Sequence, residues 1–251
     1  PIQDLFLSKW GGNNMQQRMN VLELCLQHEG MELQFSPEDI VAAAKQLNKV
    51  DVKDCENVAA SAWLLWTEAC PESSCKWLRR VLASTPEMRQ FRIVGKVKGK
   101  RGQKSVLGDL RAILPLTATL QIADAIISTK LNLFLDQKLP TPVGCFIAAR
   151  PRTQASEVMI GCQLLMEKAL DNRSVGSLAQ ADVAAHFDTL HSVRITRWLL
   201  KSGCEPALAI AALRLQLLPE VVLQSGAMQC SIPNRSCGSL TGSRTASAWG
   251  R

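Results

Sequence analysis

The 251-residue sequence lacks a long uninterrupted apolar segment. Its longest apolar stretches, residues 112–127 and 205–223, are interrupted by Asp124 in the first and by Arg214 and Glu220 in the second. Because a helix needs about 20 predominantly apolar residues to span a bilayer, we expect no membrane partner. The N-terminus also lacks the basic, apolar and small-residue order of a signal peptide. We therefore expect an intracellular protein, with a nuclear location as an open alternative.

The nine cysteines lack the spacing of a zinc site. The closest pairings are Cys70–Cys75 and Cys230–Cys237, and neither is followed by a second pair or by histidines at zinc-finger spacing. Reduced, buried thiols are the favoured interpretation for a chain without a secretory signal.

Acidic residues are missing from one basic stretch of the chain. The segment contains Arg92, Lys96, Lys98, Lys100, Arg101 and Lys104. A basic loop that also contains glycine suits phosphate groups, and the net charge of +7 agrees with a polyanionic partner. A solvated loop is the alternative, and it is the favoured interpretation for an isolated run of charge.

The apolar fraction of 47% is ordinary for a globular protein with a core. Residues 1–86 read as a helical lead-in region, in which Ser36, Pro37 and Asp39 form the start signal of a helix. An earlier helix is expected over residues 14–28, with Met19, Leu22 and Leu26 facing inward.

From residue 87 onward, strands and helices mix. Residues 90–98 alternate as a strand that enters a basic turn, and a helix is expected from about 117 to 138. A further helix near 152–172 has Val158, Cys162, Leu165 and Ala169 on one face. Helices are also expected after Asp188 and over 205–217. This order of elements predicts an α+β fold.

Two aspartates stand six residues apart after a run of small residues. Asp182 ends a short predicted strand, and Asp188 suits the N-cap of the next helix. A carboxylate in an apolar strand is normally paired, hydrogen-bonded or bound to a metal. Asp182 is therefore either a metal ligand or the exposed last residue of its strand.

Several segments follow one another in a characteristic order. They are "FSPEDIVAAAKQLNKV", "FRIVGKVKGKRGQ", "LRAILPLTATLQI", "GCFIAARPRTQASEVM", the Asp182–Asp188 segment, "VRITRWLLKSG" and "RSCGSLTGSR". In order and spacing, residues 35–251 resemble the N-terminal part of a reverse transcriptase domain of the non-LTR retrotransposon or group II intron type. The resemblance implies an incomplete right-hand polymerase, with residues 87–251 forming the fingers and part of the palm.

The resemblance implies a role for each matching residue. Asp182 is the catalytic carboxylate and, with the carbonyl of Val183, a ligand for Mg²⁺ or Mn²⁺, a metal expected only in the complete domain. Phe187 contacts the nucleotide sugar. The implied nucleotide-binding set is Lys96, Lys98, Lys100, Arg111, Phe187, Gly238 and Gly242. The implied partners are an RNA template, a DNA primer and a deoxynucleoside triphosphate.

The chain departs from the family pattern at four places. Gln121 stands where the family has lysine, Thr241 stands where it has glutamine, and His186 replaces a small residue. The Asp-Asp pair of the second metal-binding motif occurs nowhere in the 251 residues. Together with the start at Pro1, this absence predicts a truncated domain with negligible polymerase activity. The alternative function is a non-catalytic, nucleic-acid-binding remnant of a decayed retroelement.

Overall fold

The structure of the chain is a computed structural model that describes residues 2–11, 14–47, 54–99, 110–139, 155–175 and 186–250. In chain order its elements are α1 (Ile2–Lys9), α2 (Met15–Leu26), α3 (Pro37–Lys45), α4 (Ala60–Ala69), α5 (Pro71–Ala83), α6 (Thr85–Arg89), β1 (Arg92–Lys98), β2 (Arg111–Ile113), α7 (Ala118–Lys138), α8 (Ala155–Asp171), α9 (His186–Thr189), α10 (Ser192–Lys201), α11 (Pro206–Leu217), β3 (Glu220–Ser225), β4 (Met228–Ile232) and α12 (Arg244–Trp249).

Helix α3 begins at the predicted signal. The Ser36 side chain accepts a hydrogen bond from the Asp39 backbone N–H, and the Asp39 carboxylate accepts one from the Ser36 N–H at 2.9 Å. This reciprocal pair satisfies two backbone donors that the first turn leaves free. The predicted capping box is therefore confirmed.

Helix α2 is present, but its predicted inward face is only partly right, because Leu22 packs against the core whereas Met19 and Leu26 do not. Met19 and Leu26 are 53% and 57% exposed, whereas Val21 and Cys25 are buried. The buried stripe also includes Arg18, whose guanidinium donates to backbone carbonyls of other segments. A prediction from apolar residues alone does not expect an arginine to be buried. The predicted stripe therefore lies one residue beyond the stripe that is buried.

The four strands form one mixed sheet in the order β2-β1-β3-β4. β1 pairs in parallel with β3, with Ile93 opposite Val221, and antiparallel with β2, with Lys98 opposite Arg111. β3 and β4 form an antiparallel hairpin. The sheet and the many helices agree with the α+β expectation, and the strand predicted near 90–98 is confirmed as β1. The strand predicted to end at Asp182 lies outside the described residues.

Helices α7 and α11 form the centre of the core. Eleven of the twelve residues of α11 are buried, all but Pro206. In α7, residues 118–128 are buried on nearly all sides, and beyond them only Leu131 and Leu135 are buried. Residues on both sides of position 86, such as Leu33 and Leu120, belong to one hydrophobic cluster. The boundary at residue 86 stays a prediction. None of the described helices has the length and apolar character that crossing a membrane requires.

Helix α8 differs from its prediction in burial. Leu165 is 57% exposed, Cys162 and Ala169 are half-buried, and the side chain of Val158 lies outside the described part of the chain. The periodic pattern correctly predicted a helix. The face that the pattern predicts to be inward is not covered.

A buried arginine ties three helices together. Arg214 on α11 donates to the Leu82 carbonyl at 3.1 Å and to the Cys25 carbonyl at 2.6 Å, and it pairs with Glu29 at 3.4 Å. Burial lowers the pKa of Arg214. Glu29 in turn accepts hydrogen bonds from the Thr85 N–H and hydroxyl at 2.9 and 2.7 Å. The Glu29 carboxylate therefore links α11 to the start of α6.

We expect Glu29 to make stability depend on pH. Burial raises its pKa, but the hydrogen bonds from Thr85 and the charge of Arg214 outweigh that effect, and the net shift is downward. Because the pKa of Glu29 is lower in the folded state, its contribution to the unfolding free energy is complete above the unfolded-state pKa, near 4.3. The contribution is lost as the pH falls through the folded-state pKa.

Urea denaturation at several pH values between 7 and 3 measures this contribution. The unfolding free energy of the wild-type protein should fall on acidification. This fall should be smaller in Glu29→Gln, whereas the exposed Glu32→Gln should show the same fall as the wild type. Equal pH slopes in the wild-type protein and Glu29→Gln would contradict the assignment.

Candidate nucleotide-binding cleft

A cavity of about 900 Å³ opens where β1 and β2 meet the start of α7 and the turn before α12. Its apolar lining includes Val94 and Ile113 on the strands and Leu116 and Ala118 near the start of α7. Its polar lining consists of Gln46, Asp54, Lys96, Thr117, Gln121, Asp124, Thr241 and Arg244. The cleft therefore combines apolar side chains with cationic, anionic and amide groups, which is typical of a small-molecule site.

Three of the predicted phosphate-binding residues lie on one face of the sheet. Lys96 lines the cavity, and Lys98 follows it on the same side of β1 because side chains alternate along a strand. Arg111 on β2 lies directly opposite Lys98. All three are exposed, but of the three only Lys96 lines the cavity. Lys100, the fourth predicted cation, lies outside the described residues.

Asp124 fixes the opposite wall of the cleft. This buried carboxylate on α7 accepts hydrogen bonds from the Ser243 hydroxyl and the Arg244 N–H, both at 2.7 Å, and from the Thr245 N–H at 3.1 Å. It therefore satisfies the first turn of α12 and complements the positive end of that helix. The result is a fixed position for Gly242, which lines the cavity.

Gln216 on α11 extends this network. Its amide donates to the Ser243 hydroxyl at 2.7 Å, and its carbonyl oxygen accepts from the Leu240 N–H at 2.7 Å. The Gln216 backbone carbonyl accepts from Arg235 at 2.9 Å. Two helices of the core, α7 and α11, thus hold residues 240–245 from both ends. The roles of Asp124 and Gln216 were not predicted, since neither residue belongs to a recognisable sequence motif.

Two segments predicted to be functional contact each other, although neither Phe187 nor Gly238 lines the cavity. The Ser239 N–H donates to the Phe187 carbonyl at 2.8 Å, and the Gly238 N–H donates to the Leu190 carbonyl at 2.9 Å. Gly238 has a φ of +76°, and a Cβ there would lie 3.0 Å from the Asp188 carbonyl oxygen. The position requires glycine because the two segments approach each other closely. Phe187 itself is 41% exposed.

Asp188 does not cap the following helix, so that expectation is wrong. Asp188 lies inside α9, and α10 begins after His191 without a side-chain cap. The Asp188 carboxylate instead accepts a hydrogen bond from the Trp10 indole N–H at 2.8 Å. A residue from the first helical segment therefore takes part in this region, a contact that sequence spacing could not reveal.

Arg235 completes this contact from the other side of Trp10. Its guanidinium carbon lies 4.9 Å from the centroid of the Trp10 ring, and the residue is almost wholly buried. Burial lowers the pKa of Arg235 to about 10, so the side chain is still protonated at neutral pH. The cation–π contact offsets part of the cost of removing this charge from water.

The predicted metal ligands, Asp182 and Val183, lie outside the described residues. Within the described part of the chain, no three His, Cys, Asp or Glu side chains are grouped to hold a metal ion. The described carboxylates that line the cleft already accept hydrogen bonds from other groups. Asp124 is bonded to three donors, and Asp54 accepts from the Glu56, Val58 and Ala118 N–H groups. These carboxylates do not fit a magnesium site, and the magnesium expectation depends on Asp182 and Val183 alone.

The sequence matches no family model, and no curated protein matches it.

We expect the removal of the Asp124 carboxylate to destabilise the protein. Asp124→Asn keeps the volume but places an amide N–H₂ where backbone N–H groups need an acceptor. The predicted loss of unfolding free energy is about 2–4 kcal/mol, the range for a broken buried network. Urea denaturation measures it, with the exposed Asp171→Asn expected to stay within about 0.5 kcal/mol of the wild type. A small loss for Asp124→Asn would show that the turn before α12 is held by other contacts.

Gly238→Ala tests the close approach of the two segments. Gly30 has nearly the same φ, +78°, but nothing lies within 4 Å of the position of its Cβ. Gly30→Ala therefore reports the backbone strain alone, about 1 kcal/mol or somewhat more. We expect Gly238→Ala to lose about 1–3 kcal/mol beyond that value in thermal or urea unfolding, the cost of overpacking. Equal losses at the two positions would contradict the packing described here.

Proposed function

We propose that this chain is the nucleotide- and template-binding part of an RNA-directed DNA polymerase of the non-LTR retrotransposon or group II intron type. The observation that carries the proposal is that Lys96 and Gly242 line one cavity. These residues come from two motifs separated by more than half of the chain, and the resemblance implies a nucleotide-binding role for each.

The cations beside the cleft support a triphosphate as ligand. Lys96 and Arg244 line the cavity together with Asp54 and Asp124, and Lys98 and Arg111 extend the cationic edge beyond the lining. Both carboxylates already accept backbone hydrogen bonds. Clustered cations attract polyanions, and the planar guanidinium suits phosphate oxygens. Arg244 is less free to bind phosphate, since it already donates to the side chain and the backbone carbonyl of Gln46. The phosphates would therefore lie nearer the strands than the turn.

The role of Phe187 is also part of the proposal. Its backbone is fixed by the Ser239 bond, whereas 41% of its surface stays exposed. A ring with a fixed backbone and an open face can contact a nucleotide sugar and reject a 2′-hydroxyl by steric clash.

In the complete polymerase, Asp182 and the carbonyl of Val183 would hold Mg²⁺ or Mn²⁺, which would bring the primer hydroxyl and the phosphate together.

Binding of a deoxynucleoside triphosphate tests the proposal without requiring catalysis. The chain is mixed with an RNA template–DNA primer duplex and Mg²⁺, and the four fluorescently labelled nucleotides are compared by anisotropy. We expect the nucleotide complementary to the next template base to bind most tightly. Primer extension by this chain should be negligible, because the sequence has no Asp-Asp pair.

Lys96→Ala should weaken this binding about tenfold to a hundredfold, the equivalent of about 1.5–3 kcal/mol for a charge-assisted contact. Arg111→Ala should act in the same direction. Lys76→Ala, which removes an exposed cation of α5, is the matched control and should leave the affinity unchanged. Salt-sensitive RNA binding without preference for the complementary nucleotide would instead favour the non-catalytic, nucleic-acid-binding alternative.

A further inference from the structure

The four-stranded sheet has one apolar face and one polar face. Side chains alternate along a strand, and residues that lie directly opposite each other in register share a face. On the face that packs on the core, Ile93 lies opposite Val221 and Val221 lies opposite Ile232, and all three are buried. Lys96 lies on the other face of the sheet, which we call the outer face.

One row of side chains on the outer face crosses all four strands. Lys96 on β1 lies opposite Ile113 on β2 and opposite Gln224 on β3. Gln224 in turn lies opposite Gln229 on β4. We call these four residues the outer row, which spans three strand spacings or about 14 Å. Gln224 is half-buried and the other three side chains are exposed, so a ligand can reach the row along its whole length.

The charges on and beside the outer row are cationic. Lys98 and Arg111 form an exposed pair next to the row. Within the four described strands the single acidic residue is Glu220, which begins β3 at the opposite end of the sheet. Asp54 and Asp124 line the neighbouring cleft, but both already accept backbone hydrogen bonds. This end of the outer face therefore suits a polyanion.

The outer row is continuous with the candidate cleft. Lys96 and Ile113 line the cavity, whereas Gln224 and Gln229 lie outside its lining. A ligand that extends along the row therefore reaches from the cleft to the edge strand β4. A mononucleotide in the cleft does not need the two glutamines, so they have no role in the nucleotide site itself.

The uncharged members of the row favour a single-stranded nucleic acid. Glutamine amides donate to phosphate and sugar oxygens. The Gln224 amide also reaches the Gly226 carbonyl at 3.3 Å, which leaves Gln229 as the freer of the two. Ile113 is 42% exposed within the row. An apolar side chain can contact the unstacked bases of a single strand, whereas a duplex keeps its bases inside the stack.

We propose that the outer face of the sheet binds the backbone of a single-stranded nucleic acid, which crosses the strands along the outer row with Lys98 and Arg111 beside it. The inference rests on the nucleic-acid partner that the proposed function and its non-catalytic alternative share. It adds Ile113, Gln224 and Gln229 to the binding surface, and no sequence motif indicates a role for any of them.

The salt dependence of RNA binding tests the proposal. The whole chain is titrated into a fluorescently labelled oligouridylate, and the affinity is measured by anisotropy at several salt concentrations. For a single strand, each phosphate that a cation contacts contributes about 0.7 to the slope of log affinity against log salt. Gln229→Lys should therefore steepen the slope by about 0.7, so that its gain over the wild type grows roughly 2.5-fold between about 200 and 50 mM salt.

Matched substitutions control for the added charge. Gln34 is exposed and lies outside the sheet, so Gln34→Lys should leave the slope unchanged. Gln229→Glu should weaken the binding about twofold to fivefold at low salt, because it places a like charge beside the phosphates. Gln34→Glu should leave the affinity unchanged.

The wild-type slope in Gln229→Lys would overturn the inference, as would the absence of oligouridylate binding by the wild-type chain. Equal effects of the Gln229 substitutions on an RNA duplex of the same length would also overturn it. The preference for the complementary deoxynucleotide should be the same in the wild type and in both Gln229 variants, because Gln229 does not line the cleft. Absence of that preference from every variant would contradict the polymerase proposal and leave the outer face as the nucleic-acid surface.

Discussion

The buried carboxylate of Asp124 is the constraint on which the cleft depends. A charge this deep in the protein is stable only when hydrogen bonds replace its water, and here three donors from residues 243–245 do so. Those donors belong to the segment that carries Gly242, while Asp124 belongs to the most buried part of α7. The core therefore determines where the turn lies, and the turn closes the cleft opposite β1. A substitution in the core can therefore change the shape of the cleft even where it replaces no residue that lines the cleft.

A second constraint joins the first helix of the chain to its last segments. Trp10 donates to Asp188 and lies against Arg235, and the Ser236 N–H donates to the Trp10 carbonyl at 3.0 Å. One indole thus contacts two segments that are separated from it by most of the sequence. The helical lead-in is therefore part of the cleft's support, not only a region that precedes it. The buried Arg235 is only partly compensated: the Trp10 ring, the Gln216 carbonyl and the Asp188 carboxylate attract its charge, whereas its Nε and Nη2 atoms have no hydrogen-bond partner among the described residues.

The sequence predicted local structure better than tertiary contacts. The Ser36 capping box, the strand at β1 and the long helix α7 have signals within a few residues, so the pattern was sufficient for each. The inward face of α2 was not predictable in the same way, because Arg18 is buried through carbonyls contributed by residues 217 and 235. The expected cap role of Asp188 failed for a similar reason, since Trp10 is its partner. The cationic set Lys96, Lys98 and Arg111 was predicted from motif order, and its common face follows from strand register.

We propose that β1 and the turn before α12 form two sides of one nucleotide site. Photoaffinity labelling with two dATP analogues, in the presence of an RNA template that specifies adenine, tests this most directly. An aryl azide on the γ-phosphate should label peptides that contain Lys96, and an 8-azido group on the base should label residues 241–244, with both labels removed by excess unlabelled dATP. A label confined to other segments, or one that the competitor does not reduce, would contradict it.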